Sequence, residues 1–181
     1  MRDCRRGNTA AFEPLVLSHQ GDALAIAEAL LLDPDDAADA VQEAFIRTYR
    51  GLGKLAEGSA FGPWFRSIVR NLCLDRLRSP ARRRREALTD AVDAWVSVEP
   101  VGTARLERQD LARSIDAALR RLPAAHREVL VLKELEGLSY SDIAGALAIP
   151  PGTVASRVYH ARSALKRALI AMGVDSTEVA S

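Results

Sequence analysis

Residues 138–167 read LSYSDIAGALAIPPGTVASRVYHARSALKR, and the fold turns on that stretch. Ser139 stands before an apolar-periodic run, and Asp142 follows three residues later. A hydroxyl can accept from the free amides that open a helix, and an acid in the first turn complements the positive end of its dipole. Ile143, Ala144 and Leu147 then share one helical face. The pattern breaks at Ile149-Pro150-Pro151-Gly152, where the prolines remove backbone donors and glycine permits a tight turn. A second helix can begin near Pro151, because proline is tolerated in a first turn. It carries Val154, Val158, Ala161 and Leu165 on one stripe, with Ser156, Arg157, His160, Arg162, Lys166 and Arg167 off it. A short helix, a tight turn and a basic second helix predict a helix-turn-helix.

From Pro150 to Val174 the chain holds Arg157, Arg162, Lys166 and Arg167 and no acid, while the formal net charge of the whole is only +1. Positive charge gathered on one helix of a near-neutral chain points to a directed surface rather than to a protein that coats DNA indiscriminately. Gly152, Thr153, Ala155 and Ser156 keep the start of that helix slim enough to approach a groove or a phosphate. A solvated αα-hairpin that touches no DNA would carry the same pattern.

The length, 181 residues, fits one domain or two small ones. Aromatics are only 5% against 48% apolar residues, so the cores must be built mostly from Leu, Ala, Val and Ile. Alanine and leucine favour helix, and no alternating run with hairpin punctuation occurs, so the fold expected is all-α. Cys4 and Cys73 match no metal spacing, and no metal or cofactor is expected. The longest apolar run, Ala23 to Leu32, is too short for a membrane span and is broken by Glu28. With no signal peptide read either, the expected compartment is the cytoplasm.

Along the chain, Asn8 or Thr9 can cap a first helix to about Gln20, carrying Phe12, Leu15 and Val16. Gly21-Asp22 marks a break, and a second helix follows through Leu32. Asp33-Pro34-Asp35-Asp36 opens a third, with Val41, Phe45 and Tyr49 as its expected buried stripe. Six acids and no base lie between Glu28 and Glu43, which suits a docking surface for a basic protein partner or simply a solvated face. A glycine-rich loop from Gly51 to Gly62 precedes Phe61, Trp64 and Phe65. The helix that follows is expected to bury Phe65, Ile68, Val69 and Leu72 and to present Arg66, Arg70, Asn71, Arg76 and Arg78. From Phe61 to Arg85 there are eight arginines and one acid, and such a face beside exposed aromatics suits a nucleic-acid strand with bases free to stack. For Trp64, an ordinary place in the core is the competing reading.

Ser79-Pro80 ends that helix, and a run that turns from basic to acidic follows, with Trp95 and no clear period. Leu106 to Leu122 reads as a helix with Leu111, Ile115, Ala118, Leu119 and Leu122 on its stripe; the next begins at Pro123, buries Val129, Leu130, Leu132 and Leu135, and stops at Gly137. Two small helical domains are therefore expected, an N-terminal one over 8–78 and a C-terminal one with the helix-turn-helix over 109–172, joined by a flexible linker over 79–108. No catalytic constellation is read: His19, His126 and His160 are far apart in sequence, and neither a phosphate loop nor a dinucleotide fingerprint occurs. A protein without enzymatic activity is expected.

Three stretches together resemble the extracytoplasmic-function (ECF) group of the sigma-70 family of bacterial RNA polymerase sigma factors. DPDDAADAVQEAFIRTYR, from Asp33 to Arg50, looks like the segment that grips the clamp helices of RNA polymerase. FGPWFRSIVRNLCLDRLR, from Phe61 to Arg78, looks like the segment that melts and reads the minus-ten element. LPAAHREVLVLKELEGLSYSDIAGALAIPPGTVASRVYHARSALK, from Leu122 to Lys166, looks like the domain that reads the minus-thirty-five element. The resemblance implies polymerase contacts at Asp39, Gln42 and Glu43, aromatics that line or prop the melted strand at Phe61 and Trp64, and a place for Asn71 near a flipped base. It implies DNA contacts at Ser156, Arg157 and Tyr159; His160 on the same helix, and Arg66 and Arg70 on the arginine-rich helix of the N-terminal domain, are candidate DNA contacts from the residue pattern itself. Ala155 and His160 stand where related members often carry arginine, which implies a weaker upstream contact centred on Arg157. The partners implied are core RNA polymerase through its clamp helices and flap region, promoter DNA and an anti-sigma factor, with no membrane contact. A free-standing helix-turn-helix regulator, or a helical adaptor that binds proteins and no DNA, remains open from the residues alone.

Overall fold

The computed structural model describes residues 12–54, 60–79 and 104–174. The chain divides into two compact units, Met1–Glu86 and Ala87–Ser181. Among the described residues every regular element is helical. No described helix is long and apolar enough to cross a membrane.

The first unit holds α1 (Glu13–Leu31), α2 (Pro34–Gly51), a short 3₁₀ turn (Leu52–Lys54) and α3 (Phe61–Arg78). Each helix packs on the other two around Ala23, Ala27, Leu30, Leu31, Ala37, Ala40, Ala44, Phe65, Val69 and Cys73. Five of these ten are alanines, and small side chains let helix backbones approach closely.

α1 corrects one expectation: it runs unbroken through Gly21-Asp22. Glycine and aspartate each cost a helix interior up to about 1 kcal/mol. Here both lie on the exposed side, and the apolar face of α1 continues past them to Ala23 and Ile26. The helix ends where Leu32 turns left-handed at φ 58° and its N–H donates to the Glu28 carbonyl at 2.8 Å. The expected cap at Asn8 or Thr9 lies outside the described residues.

α2 starts as its sequence dictates. The Asp33 carboxylate accepts from the amides of Asp35 and Asp36 at 3.0 and 2.9 Å, and Pro34 occupies the first turn. Its buried stripe differs from the expected Val41, Phe45 and Tyr49, being Ala37, Ala40, Val41, Ala44 and Thr48. A step of four residues overshoots one turn by about 40°. The row therefore drifts outward until Tyr49 is 36% exposed. The glycine-rich stretch after it is not wholly a loop: Gly51 closes α2 and Leu52 is buried in the 3₁₀ turn.

The second unit holds α4 (Ala104–Arg120), α5 (Ala124–Glu134), α6 (Tyr140–Leu147) and α7 (Pro151–Ala171). α4 begins at Ala104, inside the span expected to be linker. The rest of that span after Ser79, with Trp95, lies outside the described residues. The core is Ala118, Leu119, Leu122, Val129 to Leu132, Ile143, Leu147, Val154, Val158, Ala161 and Leu169. Leu135, expected inside, is 53% exposed because α5 ends one residue earlier. Ile115, expected on the α4 stripe, lies at its outer edge.

The helix-turn-helix is α6 and α7, closed by Ala148 to Pro150. Ser139 Oγ accepts from the Asp142 amide at 3.1 Å, the expected cap. The turn itself is made differently from expectation. Its left-handed residue is Ala148, at φ 55°, while Gly152 lies within α7 and a side chain there would meet nothing within 4 Å. The Ile149 amide returns to the Ala144 carbonyl at 3.1 Å, and Pro150 and Pro151 start the next helix without a donor to satisfy.

Candidate nucleic-acid interface

Three helix faces carry the residues singled out by sequence, and each is built by its opposite, buried face. On α2, packing of Ala37, Ala40, Val41 and Ala44 inward leaves Asp35, Asp39, Gln42, Ile46 and Arg50 exposed on one outer stripe. Asp39 and Gln42 lie on it. Ile46, an exposed large apolar residue among polar ones, belongs to it too, and its place off the Val41 row is the signal for it in sequence.

Glu43 lies off that stripe and is engaged within the unit. Its carboxylate pairs with Arg47 one turn on and with Arg76 of α3, the latter at 3.4 Å. Partial burial pushes the Glu43 carboxyl up, but the hydrogen bonds and charges of Arg47 and Arg76 outweigh it and hold it below the usual carboxylate range.

At the start of α3 lies an aromatic cluster. Phe45 and Phe65 stack with centroids 4.4 Å apart, and Phe61 stacks on Phe65 at 5.7 Å. Phe12 meets Phe45, Tyr49 and Phe61 edge-on. Phe61 is therefore a core residue, 8% exposed, and not the exposed ring its sequence context predicts. Trp64 is half-buried, edge-on to Phe61 at 6.1 Å, with its ring over Gly51. His19 joins the cluster against Phe61 at 5.1 Å. A Cβ at Gly62 would come within 3.2 Å of His19, so a larger residue there would press the imidazole back by a few tenths of an ångström. Arg66 and Arg70 are half-buried, and Asn71 and Arg78 exposed. Arg76 leaves their company for α2.

On α7, burial of Val154, Val158 and Ala161 against α5 and α6 turns Ser156, Tyr159 and His160 outward, with Arg157 half-buried at the margin. Tyr159 is 70% exposed, the largest figure among the exposed large apolar and aromatic side chains described. Its ring meets His160 edge-on at 5.4 Å. Folding also brings His126 of α5 to within 6.4 Å of His160, ring to ring, although the sequence separates them. Among the described residues no cluster of three or more His, Cys, Asp or Glu could hold a metal ion. Arg162, counted from sequence among free cations, is paired with Glu134 of α5 at 2.6 Å. Arg127 is buried, with Nη1 3.4 Å from the Leu122 carbonyl, in the turn that joins α4 to α5.

Comparison with known proteins assigns these faces to a family. Sigma-70 region 2 matches residues 15–84, which take in both the α2 and the α3 face of the first unit. Sigma-70 region 4 matches residues 112–165, which contain the helix-turn-helix. The chain is 36% identical over 173 residues to the RNA polymerase sigma-H factor of Pseudomonas aeruginosa, covering 91% of this chain and 89% of that protein. It is 31% identical over 169 residues to the ECF RNA polymerase sigma-E factor of Escherichia coli, covering 89% and 87%. Among solved structures, the sigma factor RpoE of Bartonella quintana, in complex with the anti-sigma factor NepR, aligns at a TM-score of 0.61 and 28% identity over 88% of this chain and 96% of that one. CnrH, in complex with the cytosolic domain of CnrY, aligns at 0.56 and 25% identity over 94% of each chain. With two region matches in family order and relatives spanning nearly its full length, this chain belongs to the ECF group of sigma-70 RNA polymerase sigma factors, which direct promoter-specific transcription.

Proposed function

We propose that this chain docks on core RNA polymerase through the outer stripe of α2, with Asp39 and Gln42 as polar contacts and Ile46 as the apolar anchor. α3 reads and opens the minus-ten element, with Trp64 against the strand, Asn71 at an unpaired base, and Arg66 and Arg70 along the backbone. α7 reads the minus-thirty-five element through Ser156, Arg157, Tyr159 and His160. Phe61 supports this surface from beneath, and Glu43 braces it. Flipping a base costs a few kcal/mol, and each base stacked on an aromatic ring returns about 1–3 kcal/mol.

The observation that carries this reading is the sidedness of α7. Its buried stripe leaves Ser156, Tyr159 and His160 together on the outside, on the second helix of a helix-turn-helix. The upstream grip it provides is modest, because Ala155 offers no charge and Arg162 is committed to Glu134. Specificity then leans on α3 and on duplex shape. The protein works in the cytoplasm beside polymerase and supplies no catalytic group of its own. Its regulation follows that of the Bartonella relative, which was captured with an anti-sigma factor.

Transcription by purified core polymerase plus this protein over a genomic promoter library tests the reading. Transcripts whose upstream regions share two elements at one fixed spacing support it. Binding to single operators without transcription would favour a free-standing regulator instead.

A further inference from the structure

Arg76 reaches from α3 to two points on α2. Its Nη1 donates to the backbone carbonyl of Asp36 at 2.7 Å, and its Nη2 to Glu43 Oε2 at 3.4 Å. Asp36 and Glu43 lie on the flank of α2 beside α3, about two turns apart along the helix. A single contact would leave α3 free to pivot. Two contacts from one planar fork, spaced along the neighbouring helix, fix rotation as well as distance. Arg47 holds the same Glu43 carboxylate from within α2, so the acceptor is itself kept in place. None of these groups is on the outer stripe of Asp39, Gln42 and Ile46, and Arg76 is five residues beyond Asn71.

We propose that Arg76 is a positioning residue for promoter opening: its grip on Asp36 and Glu43 sets the strand-reading helix α3 at a fixed attitude to the docking helix α2. The proposal rests on the roles given to those two helices above. Glu43 then acts through Arg76, and its carboxylate need not touch polymerase. Opening is where such a brace matters, because polymerase holds α2 while the displaced strand pulls on α3.

The test uses holoenzyme assembled from core polymerase and the full chain. Arg76→Met keeps the apolar stem and removes both donors; Glu43→Gln keeps the shape and removes the charge; Arg76→Lys keeps the charge and one donor. Each is measured for core affinity, for salt dependence of promoter binding, for heparin-resistant open complexes on duplex promoter, and for transcription from a pre-melted template. Arg76→Met and Glu43→Gln are each expected to lower open complexes on duplex about fivefold, the size an exposed charge pair supports. Core affinity, salt slope and pre-melted transcription stay at wild-type values, and Arg76→Lys recovers most of the loss. Unchanged opening by Arg76→Met overturns the proposal. A flattened salt slope with Glu43→Gln silent also overturns it, since Arg76 would then contact phosphate. Equal losses in core affinity or on the pre-melted template overturn it as well, because the pair would then serve only the fold. If wild type itself fails to open the promoter with core, the roles of α2 and α3 fall and the proposal with them. If wild type succeeds and the variants match it, the role of Arg76 alone falls.

Discussion

Arg162 reaches from α7 to Glu134 of α5, its Nη2 and Nε lying 2.6 and 2.9 Å from one carboxylate oxygen. The hydrogen bonds and charge of Glu134 raise the guanidinium further above its already high pKa. A cation so engaged has a partner before DNA arrives. Arg162→Ala should therefore leave the salt slope of promoter binding by holoenzyme unchanged. Glu134→Ala, which releases Arg162, should steepen that slope by up to about 0.9. Because the pair is exposed, either change should cost the fold no more than about 1 kcal/mol. A slope that flattens in Arg162→Ala would mean that DNA displaces Glu134.

Ala148 carries the left-handed turn of the helix-turn-helix without the freedom of glycine. A Cβ at positive φ costs roughly 1–2 kcal/mol, while glycine at the same place loses more chain entropy on folding. The balance favours Ala148→Gly by about 0.5–1 kcal/mol. Thermal unfolding should show a midpoint raised by a few degrees, and a lowered midpoint would contradict this account of the turn.

Phe61 and Trp64 should separate when each is replaced by alanine. Phe61 is buried between Phe65 and Phe12, and Phe61→Ala should cost about 3 kcal/mol or more in urea denaturation. Trp64 lies half outside, and Trp64→Ala should lose less stability yet reduce open complexes on duplex promoter. A Trp64→Ala protein as unstable as Phe61→Ala, with opening restored in proportion when it is refolded at low temperature, would make Trp64 structural.

These contrasts mark what sequence could and could not convey. The caps at Asp33 and Ser139 are local chemistry, a short polar side chain three residues or fewer from the amides it serves; the one at Ser139 forms as read, and the one at Asp33 forms at a helix start legible from its proline and acids. The stripe Ile143, Ala144 and Leu147 is likewise local, and all three are buried. Tyr49 is not, because a row of every fourth residue drifts around the helix and only the neighbour decides where burial stops. Phe61 looks like an exposed ring beside arginines until Phe12, at the start of α1, and His19 within it close over the ring. Glu43 and Arg162 lose their apparent freedom to partners 33 and 28 residues away. The residue types at the site were legible; their engagement with one another is tertiary.

Acid should release the Glu43 brace. Its carboxyl titrates lower in the folded unit than the ordinary value of 4.5, so the unfolded chain binds more protons in the window between. Stability from this group is thus present above that ordinary value and is lost as pH falls through the lowered one. The stability gap between wild type and Glu43→Gln, small because the carboxylate is part-exposed, should be constant near neutrality and close in acid. A gap that persists below the folded-state pKa would mean that Glu43 stabilises by packing and not by charge.

The most direct measurement is permanganate reactivity of thymines on a duplex promoter, with core polymerase alone, this protein alone, and both together. The account predicts reactive thymines across about one helical turn around the minus-ten element when both are present and none with either alone, and loss of that reactivity when Asp39 and Gln42 are both alanine. Protection of duplex DNA by the protein alone, with no thymine made reactive when core is added, would contradict it.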